Sequence, residues 1–257
     1  MKAVILAAGK GTRLNGMASS RPKCLEQVGG ISLIERQVRA LKAEGIDEII
    51  SVVGFGAEQV RQTCGPRIGY IENRHYAETN SLFSLWLARH FLIGGFIVLN
   101  ADVLFHPQLL RDLLATQYED ALLVSYPDES TPPLGEEEMK VKLRAGRVID
   151  ISKKINCRKA DGENVGIAKF GPSGARLMVE KMDSLIRLGA HNDWAPRAFR
   201  EFLGERPLYA VGTRGYPWIE IDFPQDYRRA VDEVLPRILE YNEMGASLEV
   251  SIERAIA

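Results

Sequence analysis

The chain has 257 residues, with 33 Lys and Arg against 34 Asp and Glu and a formal net charge of −1. That length suits one large α/β domain with a full core, and the charge balance excludes the basic footprint of a general nucleic-acid binder. No stretch approaches the ~20 apolar residues of a membrane span, and the N-terminal apolar run is too short for a signal peptide.

Lys2 to Ala7 reads as a short buried strand carrying Val4 and Ile5. It runs into Gly9-Lys10-Gly11-Thr12-Arg13. Glycines at 9 and 11 let the backbone turn sharply and bring N–H groups against phosphate oxygens. Arg13 adds a fork of donors, and Lys23, from the separate Pro22-Lys23 segment, adds a compact point charge. Two commoner glycine motifs fail: a dinucleotide fingerprint needs glycine where Leu14 stands, and a Walker loop needs lysine where Met17 stands.

Ser32 with Glu35 forms a capping box, followed by Ile34, Val38 and Leu41 at helical spacing, and Gly45 ends that helix. A strand is expected from Glu48 to Val53, a short helix from Ala57 to Cys64, and a strand from Ile68 to Glu72. Ser81 to Phe91 returns to helical spacing through Leu82, Leu85 and Trp86. Phe96 to Asn100 is a strand leading to Asp102, Pro107 to Thr116 a helix, and Ala121 to Tyr126 a strand. This alternation predicts a mainly parallel, layered sheet.

Pro127 to Glu138 holds three prolines and an acidic cluster, so it reads as an exposed loop, one that would either close over the site or simply be disordered. Met139 to Arg144 and Arg147 to Ser152 flank Ala145-Gly146 as a hairpin. Val165 to Phe170 is a strand, Pro172-Ser173-Gly174 opens a helix, and Trp194 to Leu203 forms another. Leu208 to Val211 and Trp218 to Ile221 are late strands. Pro224 opens a long amphipathic helix that Pro236 should kink or end. No repeat or linker divides the chain, so the expectation is a single domain over 1–257 with an acceptor-binding insertion around 127–170. Cys24, Cys64 and Cys157 are widely spaced and odd in number, which suits a reducing, cytoplasmic setting rather than a disulfide framework.

Asp102 follows a buried strand at its carboxyl end, where open α/β sheets bind ligands. Asp222 follows a second apolar strand. Each alone would serve as a turn cap; together, facing one cleft, they would hold Mg²⁺ with phosphates and waters completing its shell. Glu220 shares the strand face of Asp222 and would either touch an acceptor or brace the metal ligand. One metal with Arg13 and Lys23 indicates nucleotidyl transfer: an acceptor phosphate attacks the α-phosphorus of a triphosphate, and pyrophosphate leaves. With a second pKa near ~6, that acceptor is largely ionised and needs no general base. The scatter of His75, His90, His106 and His191 is then expected, because positioning and charge neutralisation carry the catalysis.

Leu6-Ala7-Ala8-Gly9-x-Gly11-x-Arg13 with Pro22-Lys23 resembles the signature of the sugar-phosphate nucleotidyltransferase superfamily, and the likeness runs to about Ala230. Glu78-Thr79-Asn80-Ser81 ahead of Ser84-Leu85 is similar to its bacterial phosphocholine and aminoalkylphosphonate cytidylyltransferase branch. So are Ile151-Ser152-Lys153, Glu163-Asn164-Val165-Gly166-Ile167 and Trp218-Ile219-Glu220-Ile221-Asp222. The resemblance implies a Rossmann-like three-layer α/β/α sandwich around a mixed, mostly parallel sheet. It implies a base pocket of Leu6, Ala7, Ala8 and Gly9 with Gly54, Asn80 and Ser81. Phosphate contacts would fall to Gly11, Thr12, Arg13 and Lys23, with Arg13 and Lys23 as the catalytic cations and Mg²⁺ on Asp102 and Asp222. Ala101 stands where many relatives carry glycine, which leaves less room beside the ribose.

On the acceptor side, Lys153 or Lys154 would grip a phosphate or phosphonate, and Glu163 a hydroxyl or amine. Trp194, Trp218, Tyr126, Tyr209 and Tyr216 would supply a cation–π box for a quaternary ammonium group. The acceptor-binding set is thus Lys153, Glu163, Trp218 and Glu220. The expected partners are CTP and a small phospho- or phosphono-alcohol or amine, with an oligomer left open. The alternatives are a sugar-1-phosphate nucleotidyltransferase using another triphosphate, a glycosyltransferase on a similar scaffold, and a nucleotide-binding module without turnover.

Overall fold

Strand β1 (Lys2–Ala7) sets the layering, because its alternate residues belong to different cores. Ala3, Ile5 and Ala7 pack into one apolar cluster, while Val4 and Leu6 face another, as the period of a strand requires. The computed structural model describes residues 1–11, 13–14, 21–127 and 133–241. After β1 come β2 (Gln27–Val28), β3 (Ile31–Ser32), α1 (Leu33–Ala43), β4 (Ile49–Val53), α2 (Ala57–Cys64) and β5 (Gly69–Glu72). Next are α3 (Ser81–Leu87), α4 (Arg89–Leu92), β6 (Phe96–Asn100), β7 (Val103–Phe105), α5 (Pro107–Ala115) and β8 (Ala121–Ser125). The rest is β9 (Lys140–Arg144), β10 (Arg147–Ser152), β11 (Gly162–Phe170), α6 (Pro172–Arg187), α7 (Pro196–Phe202), β12 (Tyr209–Gly212), β13 (Trp218–Glu220) and α8 (Pro224–Arg229).

The main sheet has the order β5-β4-β1-β6-β11-β8-β12-β10-β9. Strands β5, β4, β1 and β6 run parallel, so their carboxyl ends share one rim. Strand β11 enters antiparallel between β6 and β8, and β12 runs parallel to β8. Helices α1, α2 and α5 cover one face, and α3, α4, α6 and α7 cover the other. This is the expected three-layer α/β/α sandwich on a mixed sheet. At its far end, β9 pairs with both β10 and β11, and β10 pairs with β12. The pairings β11-β8-β12-β10-β9 therefore return to β11 as a ring.

The capping box of α1 forms, with the Ser32 hydroxyl accepting from the Glu35 amide and the Glu35 carboxylate accepting from the Ser32 amide. The structure refines three of the expected elements. The helix from Ser81 is broken at Ala88, where the chain tightens into three-residue turns (Ala88 N–H to Leu85 O, 3.1 Å; Phe91 N–H to Ala88 O, 2.8 Å). The strand before Asp222 lies outside the main sheet, because β13 pairs antiparallel with β7 as a separate ribbon. Pro236 does not end its helix, which continues to Tyr241 with a π-turn at Ala230–Val234 just ahead of the proline. A proline ring crowds the carbonyl four residues back, and the wider turn makes room for it.

Among the described residues no helix is long and apolar enough to cross a membrane. The three cysteines are free, with Cys24 and Cys64 buried.

Candidate nucleotidyl-transfer site

Parallel register brings Leu6 of β1 level with Asn100 of β6, so the loops that follow these strands share one rim of the sheet. After Ala7 the chain turns away, and the Phe55 amide donates to the Ala8 carbonyl (3.1 Å) to hold the turn. Gly11 has a φ of +64°, and a Cβ there would lie 2.9 Å from the Lys23 Cβ. Only glycine lets this loop lie so close to Lys23.

Lys23 opens a short 3₁₀ turn, Lys23–Leu25. Its ammonium donates to Asp102 Oδ2 (2.7 Å) and to Asp222 Oδ1. Burial alone would lower its pKa, but the two carboxylates outweigh burial and hold it above the ordinary lysine value. The Arg13 guanidinium lies 3.1 Å from Asp222 Oδ2 and 3.2 Å from Glu137 Oε2. It also covers the ring of Phe223 (5.4 Å to the centroid).

Asp102 stands in the turn between β6 and β7. The buried Gln37 side chain pins that turn by donating to the carbonyls of Asn100 and Val103 (2.9 Å each). The Ile221 amide donates to the Asp102 carbonyl (3.0 Å), which ties the β13 ribbon to the turn. Asp102, Glu220 and Asp222 each offer a carboxylate oxygen, and the three oxygens lie within 4.8 Å of one another. Asp102 Oδ1 is buried without a hydrogen-bond partner among the described residues. Burial, reinforced by the charges of Asp102 and Asp222, pushes the Glu220 carboxyl up to about 8.

These groups surround a cleft of about 270 Å³. Of the sequence-predicted residues, Leu6, Ala7, Ala8, Gly9, Gly11, Arg13, Lys23, Asn80, Ser81, Ala101, Asp102, Lys153, Glu220 and Asp222 line it. Thr12 lies outside the described residues. Gly54 is not in the lining but one step behind it: a Cβ there would lie 2.7 Å from the Ala8 carbonyl oxygen and 2.6 Å from the Tyr76 Cβ. Asn80 caps α3 by accepting from the Ser81 amide (2.8 Å), and the Ser81 hydroxyl accepts from the Ala195 amide (2.8 Å).

The acceptor side departs further from expectation. Glu163 and Trp218 are not in the cleft lining. Glu163 sits on β11 opposite Lys140; burial, with some help from the Glu138 charge, pushes its carboxyl up to about 7 against the opposing Lys140. Trp218 packs half-buried against the main core. The five-residue aromatic box does not assemble, because its rings have other partners. Tyr209 stacks on Tyr118 (3.9 Å between centroids), Tyr216 stacks on His106 (4.9 Å), and Tyr126 lies against Gly212. Of the five, Trp194 reaches the cleft, and its ring already carries the Lys153 ammonium at 5.0 Å. Lys154 lines an adjoining chamber of about 860 Å³.

Sequence reasoning did not single out Asn73, Glu137 or Lys140. Asn73 is buried and donates to the Thr79 (3.0 Å) and Ser84 (3.1 Å) hydroxyls, folding the segment before α3. Glu137 is one of three consecutive glutamates, and nothing local distinguishes it. The described part of the acidic loop sends Glu137 into the cleft wall, and residues 128–132 lie outside the described ones.

A MobA-like NTP transferase domain matches residues 3–151. The chain belongs to this family. This nucleotidyltransferase is 29% identical over 243 residues to the choline-phosphate cytidylyltransferase of Streptococcus pneumoniae, covering 91% of this chain and 98% of the relative. It is 33% identical over 239 residues to the bifunctional IPC transferase and DIPP synthase of Rubrobacter xylanophilus, over 91% of this chain but only 52% of that relative. It superposes on a solved structure of the Streptococcus pneumoniae CTP:phosphocholine cytidylyltransferase with a TM-score of 0.72 at 27% identity, covering 89% of this chain and 96% of the other. The superfamily and branch expected from the opening motif and the later segments are thus the right ones, and the chain is an enzyme of the nucleotidyltransferase class.

Proposed function

We propose that this enzyme transfers CMP from CTP to a small phosphorylated or phosphonate alcohol or amine, within one domain whose segment 127–170 forms the acceptor side. The observation that carries the reading is the convergence of Lys23 and Arg13 on Asp222, with Asp102 sharing the same ammonium, at the foot of the glycine loop. The cytidylyltransferase relatives support cytidine as the base and a phosphate-bearing acceptor.

The donor set suits Mg²⁺. Asp102, Glu220 and Asp222 bring three carboxylate oxygens within 4.8 Å of one another, and the buried Asp102 Oδ1 has no hydrogen-bond partner among the described residues. Asp102 and Asp222 would hold the ion, with Glu220 behind them, and the ion would supply charge neutralisation for the phosphates. Lys23 keeps the two aspartates together in the free protein and offers its ammonium to a phosphate when they are otherwise neutralised. Arg13 presents its fork to the triphosphate. An acceptor oxygen attacks the α-phosphorus, the bond from that phosphorus to the bridging oxygen breaks, and pyrophosphate leaves with the electron pair. Proximity and preorganised charge supply the rate.

The test is pyrophosphate release from each of CTP, UTP, GTP, ATP and dTTP with a panel of phospho- and phosphono-acceptors and sugar 1-phosphates. CTP should be the best donor. If CTP is the poorest, or only sugar 1-phosphates react, the cytidylyl assignment is wrong.

A further inference from the structure

Two cavities meet at one carboxylate. The cleft and the larger chamber have Glu137, Met139, Lys153, Trp194 and Pro196 as a common wall. A single Glu137 oxygen lies 3.2 Å from an Arg13 nitrogen and 3.3 Å from the Lys153 ammonium. Arg13 also touches Asp222 in the cleft, whereas Lys153 faces both cavities. An anion gripped by one cation from each side lies where the cleft and the chamber meet.

This position is held by a built support. Lys140 is fully buried, and its ammonium donates to the carbonyls of Gly135 (2.8 Å), Glu136 (3.2 Å) and Glu138 (3.1 Å). The Cys157 thiol also donates to the Gly135 carbonyl (2.9 Å). These bonds fix the backbone on both sides of residue 137. The Glu137 side chain itself is 66% exposed, so rotation alone takes its carboxylate out of the way.

Resting on the acceptor class proposed above, the geometry points to an acceptor-anion subsite at the Glu137 oxygen. It is the seat of the acceptor's phosphate or phosphonate, which arrives through the larger chamber. Glu137 is an internal anion that keeps Arg13 and Lys153 poised until the acceptor replaces it. No covalent bond changes in this exchange; one anion succeeds another on the same two cations.

Glu137→Gln removes the competing charge and keeps the shape. The KM for a productive acceptor should fall about threefold to fivefold, the size of an exposed ion pair. An unchanged or raised KM overturns the proposal. A second measurement needs no turnover: equilibrium binding of inorganic phosphate and of methylphosphonate to the nucleotide-free full chain. Both should bind tighter to Glu137→Gln than to the wild type. Adding Lys153→Ala should abolish that gain, and Lys153→Arg in its place should restore it. A gain that survives Lys153→Ala assigns the anion to the nucleotide side and sinks the proposal. If no acceptor reacts with any triphosphate, the functional reading fails, while the phosphate titrations still decide this inference.

Discussion

The two walls of the cleft are held by different physics. On the side proposed for the nucleotide the wall is backbone, fixed by the register of Leu6 with Asn100, by the Phe55 amide on the Ala8 carbonyl, and by Gly11 and Gly54, where a Cβ would collide. On the side proposed for the acceptor it is charge: Glu137 between Arg13 and Lys153, with buried Lys140 beneath it and, behind the lining, Glu163 opposite Lys140. Between them, the carboxylates of Asp102 and Asp222 share Lys23 and join the halves. The first wall should therefore be sensitive to volume, and the second to charge and pH.

The sharpest test is at the junction. Asp102→Asn should lower kcat by about 10²–10³-fold, while equilibrium CTP binding falls far less. Unchanged turnover would remove Asp102 from the reacting centre and dissolve the distinction between the walls. Next comes Glu163. Its carboxyl is raised to about 7 by burial, so between the unfolded-state pKa near ~4.5 and 7 the folded chain binds the extra proton, and stability falls as pH rises. The loss levels off above pH 7 and amounts to about 3 kcal/mol. Glu163→Gln should flatten that dependence and make the protein more resistant to urea at pH 8 than the wild type. Equal slopes for both proteins between pH 5 and 8 would show that Glu163 ionises normally.

Gly54→Ala tests the other wall. The added methyl meets the Ala8 carbonyl oxygen at 2.7 Å, a clash expected to cost about 1–3 kcal/mol. The KM for CTP should rise with little change in that for the acceptor; the opposite pattern would break the comparison. The smallest effect is expected at Trp194. It lies in the wall and receives Lys153 on its ring, so Trp194→Leu should raise the acceptor KM about twofold to fivefold. A change confined to the KM for CTP would place Trp194 in the wrong wall.

This difference between the walls also explains what could be read from the residues. The glycine loop, Arg13 and Lys23 were legible because alternation in β1 and the positions of Gly9 and Gly11 are local facts. Asp102 and Asp222 were legible as strand ends, although β13 belongs to a ribbon rather than the main sheet. Lys140 was not legible, since a lysine in a strand reads as solvent-facing, and its three carbonyl partners come from the turn that folds back over it. The aromatic box failed for the same reason. A sequence counts rings, but it does not reveal that Tyr118 and His106 have already claimed two of them. Pro236 carried a correct local rule that a π-turn absorbs.

The ring of strands at the far end of the sheet has a consequence for association. An open sheet offers unpaired amides and carbonyls at both margins, where a second chain can add a strand. Here β9 gives Lys140 and Val141 to β11, and the Leu143 amide beyond them is taken by the Asp161 carboxylate at 2.7 Å. The opposite margin, β5, is short and ends at Glu72, which is paired with Arg61 at 2.8 Å. Among the described residues, each border is thus shortened or charged, which disfavours extension of the sheet by a second chain.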